Sequence, residues 1–208
     1  GMYMSGHPLD NYKFELKYYN ITSLADYLEV KNAVGIIPTS KSFRLAGLVI
    51  DAQHRLTKTG KNFGILHMED FSGKSEFALF GEDYVRYQNY LEKGMIVLIE
   101  GAFRQRYNTD QYEFRISKLH LLETVKQTLT KQLVIDIEPQ FIDDELVEFM
   151  DSNIKKHPGG SIIRINVRDT EKDLKVGMYT LEKGFTMNDD MAEYINNHQY
   201  MSVSVVAG

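Results

Sequence analysis

The sequence predicts a partly open β-barrel of five strands and one helix, followed by a separate α+β domain. Three observations carry that prediction. Between residues 41 and 123, short apolar runs alternate with polar turns at strand spacing, interrupted once by a helical repeat. After residue 130, strand-like and helix-like segments follow one another as strand, helix, strand, strand, helix, strand. A chain of 208 residues that is 43 % apolar and 25 % charged can bury a core, which excludes a disordered tail.

Residues 1–40 read as an N-terminal linker segment, with Ile21–Val30 as a candidate short helix docking on the barrel. Phe43–Ile50 (FRLAGLVI) is the first strand, and Gly47 sits where a strongly bent strand needs it. A polar loop from Arg55 to Asn62 leads to the second strand, Phe63–Met68. Glu69–Lys74 (EDFSGK) is a hairpin connection, and Ser75–Phe80 is the third strand. Tyr84, Tyr87 and Leu91 then recur at helical spacing, giving about three turns ended by Gly94. Met95–Phe103 and Tyr112–Leu121 complete the set, joined by the polar loop Arg104–Gln111. Three strands, a helix and two strands is the order of an OB-fold, whose helix plugs the barrel's end.

A polar stretch near Thr124–Lys131 reads as the boundary to a C-terminal domain, residues 131–208. There Leu133–Ile137, Ser161–Val167, Leu174–Thr180 and Tyr200–Val206 read as strands, and Asp143–Lys156 and Asn188–Asn197 as helices. This is the element order of a split βαβ, or ferredoxin-like, sandwich with one sheet face beneath two helices.

Composition narrows the chemistry. The absence of cysteine excludes disulfide frameworks, thiolate metal sites and cysteine nucleophiles, and suits a reducing compartment. No apolar run reaches the roughly 18 residues of a spanning helix and no export signal opens the chain, so the expected location is cytoplasmic, with no membrane partner. The formal charge of -5 is uneven: residues 41–123 hold 12 basic and 11 acidic side chains, residues 124–208 hold 9 and 14. The chain therefore does not coat nucleic acid over its whole surface, while a local basic patch on the middle segment remains compatible with it.

No self-contained active site is legible. Asp143-Asp144-Glu145 and Asp189-Asp190 open helices, where negative charge meets the N-terminal dipole, and Asp70 suits a hairpin turn. The six histidines show neither HExxH nor short paired spacing, and no GxSxG elbow or phosphate loop is present. Catalytic residues, metal ligands and cofactors are accordingly expected to be none.

The barrel offers more. OB-folds bind single strands on the face of the second and third strands, flanked by the first-to-second and fourth-to-fifth loops. Both loops here are basic: Arg55, Lys58 and Lys61 in one, Arg104 and Arg106 with Tyr107 in the other. Cations there neutralise phosphates, and an aromatic ring stacks on a base. Alternation sorts each strand into two faces without saying which one is inside; the reading favoured puts Leu66, Met68, Phe77 and Leu79 inside, leaving Phe63, His67 and Phe80 on the groove. Glu76 on the same platform, and the near-neutral charge of the segment, predict weak binding, micromolar or poorer.

Several runs resemble one family, the alpha (catalytic) subunits of bacterial DNA polymerase III. They are Met2-Tyr3-Met4-Ser5-Gly6-His7-Pro8-Leu9-Asp10, Ala46–Val49 continuing through Arg55 and Thr57–Lys61, Leu66–Gly73, Glu76–Phe80 and Tyr84–Gly94. The likeness covers residues 2–123; beyond residue 130 it rests on position in the chain and on His157-Pro158-Gly159. It implies the C-terminal portion of a far longer enzyme, with the catalytic aspartates upstream. It also implies an OB domain beside the single-stranded template, and a last domain that contacts the clamp-loader tau subunit. By position it carries template contact to Arg55, Lys58, Lys61, Arg104, Arg106 and Tyr107. No internal clamp-binding pentapeptide is visible.

The leading expectation is thus a non-catalytic polymerase fragment with a template-holding OB module and a protein-contact module. Two rivals are a protein-interaction scaffold that never touches DNA, and an anticodon-binding OB module of an aminoacyl-tRNA synthetase. The second leaves residues 2–10 unexplained.

Overall fold

A computed structural model describes residues 6–33, 41–107, 109–169, 171–172, 174–179 and 184–208. Met2–Ser5 of the motif at residues 2–10 lie outside the described residues. The chain divides into two units that meet in sequence at Thr124 and Val125.

The first unit begins with a 3-10 turn, Pro8–Tyr12, stabilised reciprocally: the His7 ring accepts from the Leu9 amide while Asp10 accepts from the His7 amide. Helix α1 (Lys13–Tyr18) and helix α2 (Leu24–Asn32) follow. The barrel is made of β1 (Ser42–Leu56), β2 (Asn62–Glu69), β3 (Lys74–Phe80), helix α3 (Gly81–Tyr87), β4 (Ile96–Gln105) and β5 (Tyr112–Leu121). Its sheet runs β3-β2-β1-β4-β5 with every neighbour antiparallel.

One long strand makes the corner. The first half of β1 pairs with β4 and the second half with β2, with a bulge between Val49 and Asp51. Gly47 sits at the bend, where a Cβ would lie 2.5 Å from the Glu69 carbonyl oxygen and from Met68 Cγ. Only a residue without a side chain lets the strands cross this closely. Leu66, Met68, Phe77 and Leu79, the set favoured for the interior, are buried. Helix α3 spans two turns and is prolonged by a 3-10 turn, Gln88–Tyr90, in place of the third α turn expected. Tyr84, Tyr87 and Leu91 from this segment are all in the core, and Gly64 gives them room: a Cβ there would meet Leu91 Cδ2 at 2.1 Å.

The segment before the barrel is not a linker in its described part. The side chain of Ser23 caps α2 by accepting from the Asp26 amide. The other orphan amides of that first turn reach across to the β2–β3 turn, Leu24 to Asp70 Oδ2 at 2.8 Å and Ala25 to Ser72 Oγ at 2.9 Å. Tyr27, 1 % exposed, enters the barrel among Phe43, Phe77, Phe103 and Phe114, with ring centroids 5.1–6.0 Å away. Burial pushes its phenol pKa upward, so it stays neutral. Helix α2 therefore plugs one mouth of the barrel, and α3 packs on another part of the same core.

The second unit opens on helix α4 (Val125–Leu129). The stretch read as a polar boundary is a packed element, with Val125, Lys126 and Leu129 buried and Lys126 Nζ 2.9 Å from Asp189. Then come β6 (Thr130–Ile137), helix α5 (Asp144–Lys156), the short β7 (Pro158–Gly159), β8 (Ile162–Asp169), β9 (Leu174–Tyr179), the short β10 (Gly184–Phe185) paired with β7, helix α6 (Asp189–Asn197) and β11 (Ser202–Ala207). Asp143 and Asn188 cap the two longer helices, and their neighbouring carboxylates occupy first turns. Asn153 and Asn188 exchange two side-chain bonds of 3.0 Å in the interior, tying α5 to the start of α6.

The main sheet is mixed, ordered β11-β6-β8-β9, with β6 and β8 parallel. The element order is the one expected, but the split βαβ pairing is not. A split unit needs a strand between the two parallel ones; here β8 lies directly beside β6, and β9 adds outside it as a hairpin partner. Leu133, Ile135, Ile137 and Ile163 are buried together with Leu146 and Met150 of α5 and Met191 and Ile195 of α6, which makes a layered α+β domain. No helix among the described residues is long and apolar enough to cross a membrane.

Candidate nucleic-acid interface

The outer face of β1, β2 and β3 is a grid set by strand register. Arg55, Phe63 and Phe80 form one cross-strand row; Gln53, Ile65 and Ala78 the next; Asp51, His67 and Glu76 the third. The first row is aromatic and cationic. The Phe63 and Phe80 rings stack at 5.3 Å and 15°, and Phe80 is 55 % exposed. The third row is acidic, with His67 Nε2 3.7 Å from Glu76. Gln53 links the ends: its carbonyl accepts from Arg55, and its amide donates to Asp51 at 3.1 Å. That bond is the main cause holding the Asp51 carboxyl below the usual range, so this end stays negative.

Arg55 thus lies on β1, not in the loop where the sequence put it, because β1 continues six residues past Ile50 as one arm of a long hairpin. The tip is Thr57–Lys61, closed by Thr57 N to Lys61 O at 2.8 Å and Gly60 N to Thr57 O at 2.9 Å, with Gly60 at φ +78°. Lys58 and Lys61 stand at this tip, beyond the aromatic row, and neither forms an ion pair among the described residues.

Arg104 is likewise on a strand, β4, opposite Glu113 of β5, and the second hairpin closes from Arg106 N to Gln111 O at 2.8 Å. Sheet pairing stops at β3 and β5, and a cleft of about 490 Å³ lies there. Ala78, Phe80 and Asp83 line one side, Arg106, Glu113 and Arg115 the other. Arg106 and Phe80 therefore share one opening. Arg104 and Tyr107, the latter 90 % exposed, line an adjoining depression with Ser42 and Ala102. Arg115 borders both hollows.

The structure brings together Arg55, Phe63, Phe80 and Arg106. It sets His67 at the acidic end and Arg104 and Tyr107 in the neighbouring depression. Sequence reasoning missed Arg115 and its partner Glu113, which lies 2.7 Å from Arg115 and 3.5 Å from Arg106. The signal was available in Tyr112–Ile116, where alternation with the core-facing Phe114 and Ile116 turns Glu113 and Arg115 outward, before a register shift changes the phase and buries Leu119. No group of three or more His, Asp or Glu side chains suited to a metal ion occurs among the described residues.

Residues 43–122 match the model of the OB-fold nucleic acid binding domain, and residues 133–206 match that of the DNA polymerase III alpha subunit, C-terminal domain. The chain is similar to the DNA polymerase III alpha subunits along most of its length. Relatives named DNA polymerase III subunit alpha align along most of it. That of Vibrio cholerae is 24 % identical over 204 residues, which is 96 % of this chain and 17 % of the relative. That of Borreliella burgdorferi is 27 % identical over 194 residues, 87 % of this chain and 15 % of the relative. The Pasteurella multocida protein is 25 % identical over 162 residues, covering 78 % and 13 %. The chain thus spans under a fifth of the length of these DNA polymerase III alpha subunits. A single-stranded DNA binding protein from Thermus aquaticus aligns over 80 % of this chain and 82 % of its own, at 16 % identity and a TM-score of 0.28, too low to establish a shared arrangement.

Proposed function

We propose that the chain is a non-catalytic part of a cytoplasmic DNA polymerase III alpha subunit, whose barrel holds single-stranded template DNA and whose C-terminal unit contacts replisome proteins. The observation that carries the first half is the row Arg55–Phe63–Phe80 opening into the cleft that holds Arg106. A base stacks on the exposed Phe80 ring, and phosphates meet Arg55 and the Lys58–Lys61 tip on one side and Arg106 and Arg115 on the other. Asp51 and Glu76 repel phosphate at the far end, so the strand runs along the first row and not down the whole sheet. Arg104 and Tyr107 extend the track into the next depression, and His67 takes no part while Glu76 holds it.

The test is the salt dependence of binding. A labelled thymidine oligonucleotide, followed by anisotropy at several salt concentrations, is expected to bind at micromolar or weaker affinity. With Lys58→Ala and Lys61→Ala together, the slope of log K against log salt is expected to fall by about 1.4, at about 0.7 per lost single-strand contact. Binding that ignores both salt and the substitutions removes these lysines from the site. No binding even at low salt returns the scaffold reading.

For the protein-contact half, the supporting feature is the helix-side face of β9. Leu174, Val176 and Met178 all share it and are about half exposed, on an edge strand. The partner proposed is the clamp-loader tau subunit, and Val176→Asp is expected to abolish its capture by the chain. Capture undiminished by that substitution would place the contact elsewhere.

A further inference from the structure

The other face of the C-terminal sheet faces away from both helices and carries a different chemistry. Register puts Asp136 of β6, Arg164, Asn166 and Arg168 of β8, and Lys175 and Tyr179 of β9 on it. Seven of the fourteen acidic side chains of this unit lie on α5 and α6, whereas this face holds three cations to one carboxylate. Charge is thus segregated between the two sides of one small domain, and its net negative sign conceals a positive surface.

The two arginines are held in position. Arg164 Nε donates to Asn166 Oδ1 at 3.0 Å, and Asn166 Nδ2 donates to Asp136 Oδ1 at 3.1 Å. The same carboxylate oxygen lies 2.8 Å from the Arg168 guanidinium. The Arg164 guanidinium sits 5.1 Å from the Tyr179 ring centroid, and that ring is 49 % exposed. Arg168 and Lys175 are direct cross-strand partners. Like charges facing each other across a ladder are unfavourable unless an anion lies between them. Of these two cations Asp136 pairs with Arg168, and Lys175 has no ion pair among the described residues.

We infer that this face is a second binding surface for single-stranded nucleic acid: a phosphate bridges Arg168 and Lys175, and a base stacks on Tyr179 beside Arg164. Fixed cations next to an exposed aromatic ring are the elements of sequence-tolerant strand binding. The occupant is a strand, not an acidic peptide, because a peptide carboxylate uses the cations and leaves the Tyr179–Arg164 platform idle. The inference stands independently of the barrel site.

Photocross-linking separates the two. The full 208-residue chain is irradiated with a 5-iodouracil oligonucleotide and the adducts are mapped by mass spectrometry. Adducts are expected at Tyr179 in the unaltered chain and in the Lys58→Ala, Lys61→Ala variant. Arg168→Gln with Lys175→Gln is expected to abolish the Tyr179 adduct and to reduce the salt slope by about 1.4. Tyr179→Ser should weaken binding by the barrel variant roughly fivefold or more, while Tyr179→Phe retains it. These side chains are exposed, and an unchanged melting temperature shows that each variant is folded. Adducts confined to barrel residues, or a slope that the Arg168, Lys175 variant leaves unchanged, overturn the inference without touching the barrel reading. Loss of barrel adducts with Tyr179 still labelled does the reverse.

Discussion

Tyr27→Ala is expected to destabilise the N-terminal unit by about 3–5 kcal/mol, the usual cost of emptying a buried aromatic site. The ring lies within 6.0 Å of four phenylalanine rings and no main-chain segment is free to collapse into the space, because Phe43, Phe103 and Phe114 belong to paired strands. Denaturant unfolding followed by far-ultraviolet dichroism measures it as the shift of the midpoint from that of the parent chain. Tyr27→Phe keeps the ring and should retain most of the stability. An alanine variant that loses less than about 1 kcal/mol would show that the strands close the barrel without the plug.

The second large effect concerns affinity. Phe80→Ala is expected to weaken oligonucleotide binding by roughly 5- to 150-fold, the equivalent of about 1–3 kcal/mol for one stacked base. Its ring is more than half exposed and, among the described residues, stacks only on half-buried Phe63, so the fold should tolerate the change. Glu113→Gln moves the other way. It removes the carboxylate that faces both Arg106 and Arg115, and affinity should rise a few-fold with a steeper salt dependence. Titration of the two variants side by side checks both signs; a Phe80→Ala chain that binds as tightly as the parent would take the base off this ring.

Much of the barrel could be read beforehand, because period-two alternation on a curved sheet leaves little freedom. Leu66 had to share a face with Met68, and Phe77 with Leu79, and all four are buried. The strand ends were harder. Arg55 and Arg104 lie where the hairpin arms project past the core, both faces are wet, and polarity there imitates a loop. Tyr27 was illegible for the opposite reason: LADYLEVKN buries only Leu24 and Tyr27, so its own pattern is faint and the tertiary partners decide. In the C-terminal unit, element types followed from periodicity, whereas the neighbour of β6 depends on which strand the α5 crossover reaches. Nothing in a single segment encodes that. Of the groove, the two basic hairpins were visible and the Glu113–Arg115 pair was hidden within a strand read for its apolar members.

Asp70 divides its carboxylate between two tasks, one oxygen organising its own turn through the Ser72 and Gly73 amides and the other holding the Leu24 amide. A pull on the lead-in helix is therefore delivered straight into the hairpin whose outer rungs carry Phe63 and Phe80. Tension or rotation arriving from that side cannot be absorbed as slack; it either moves the whole β2–β3 ribbon as a lever or must first break this joint.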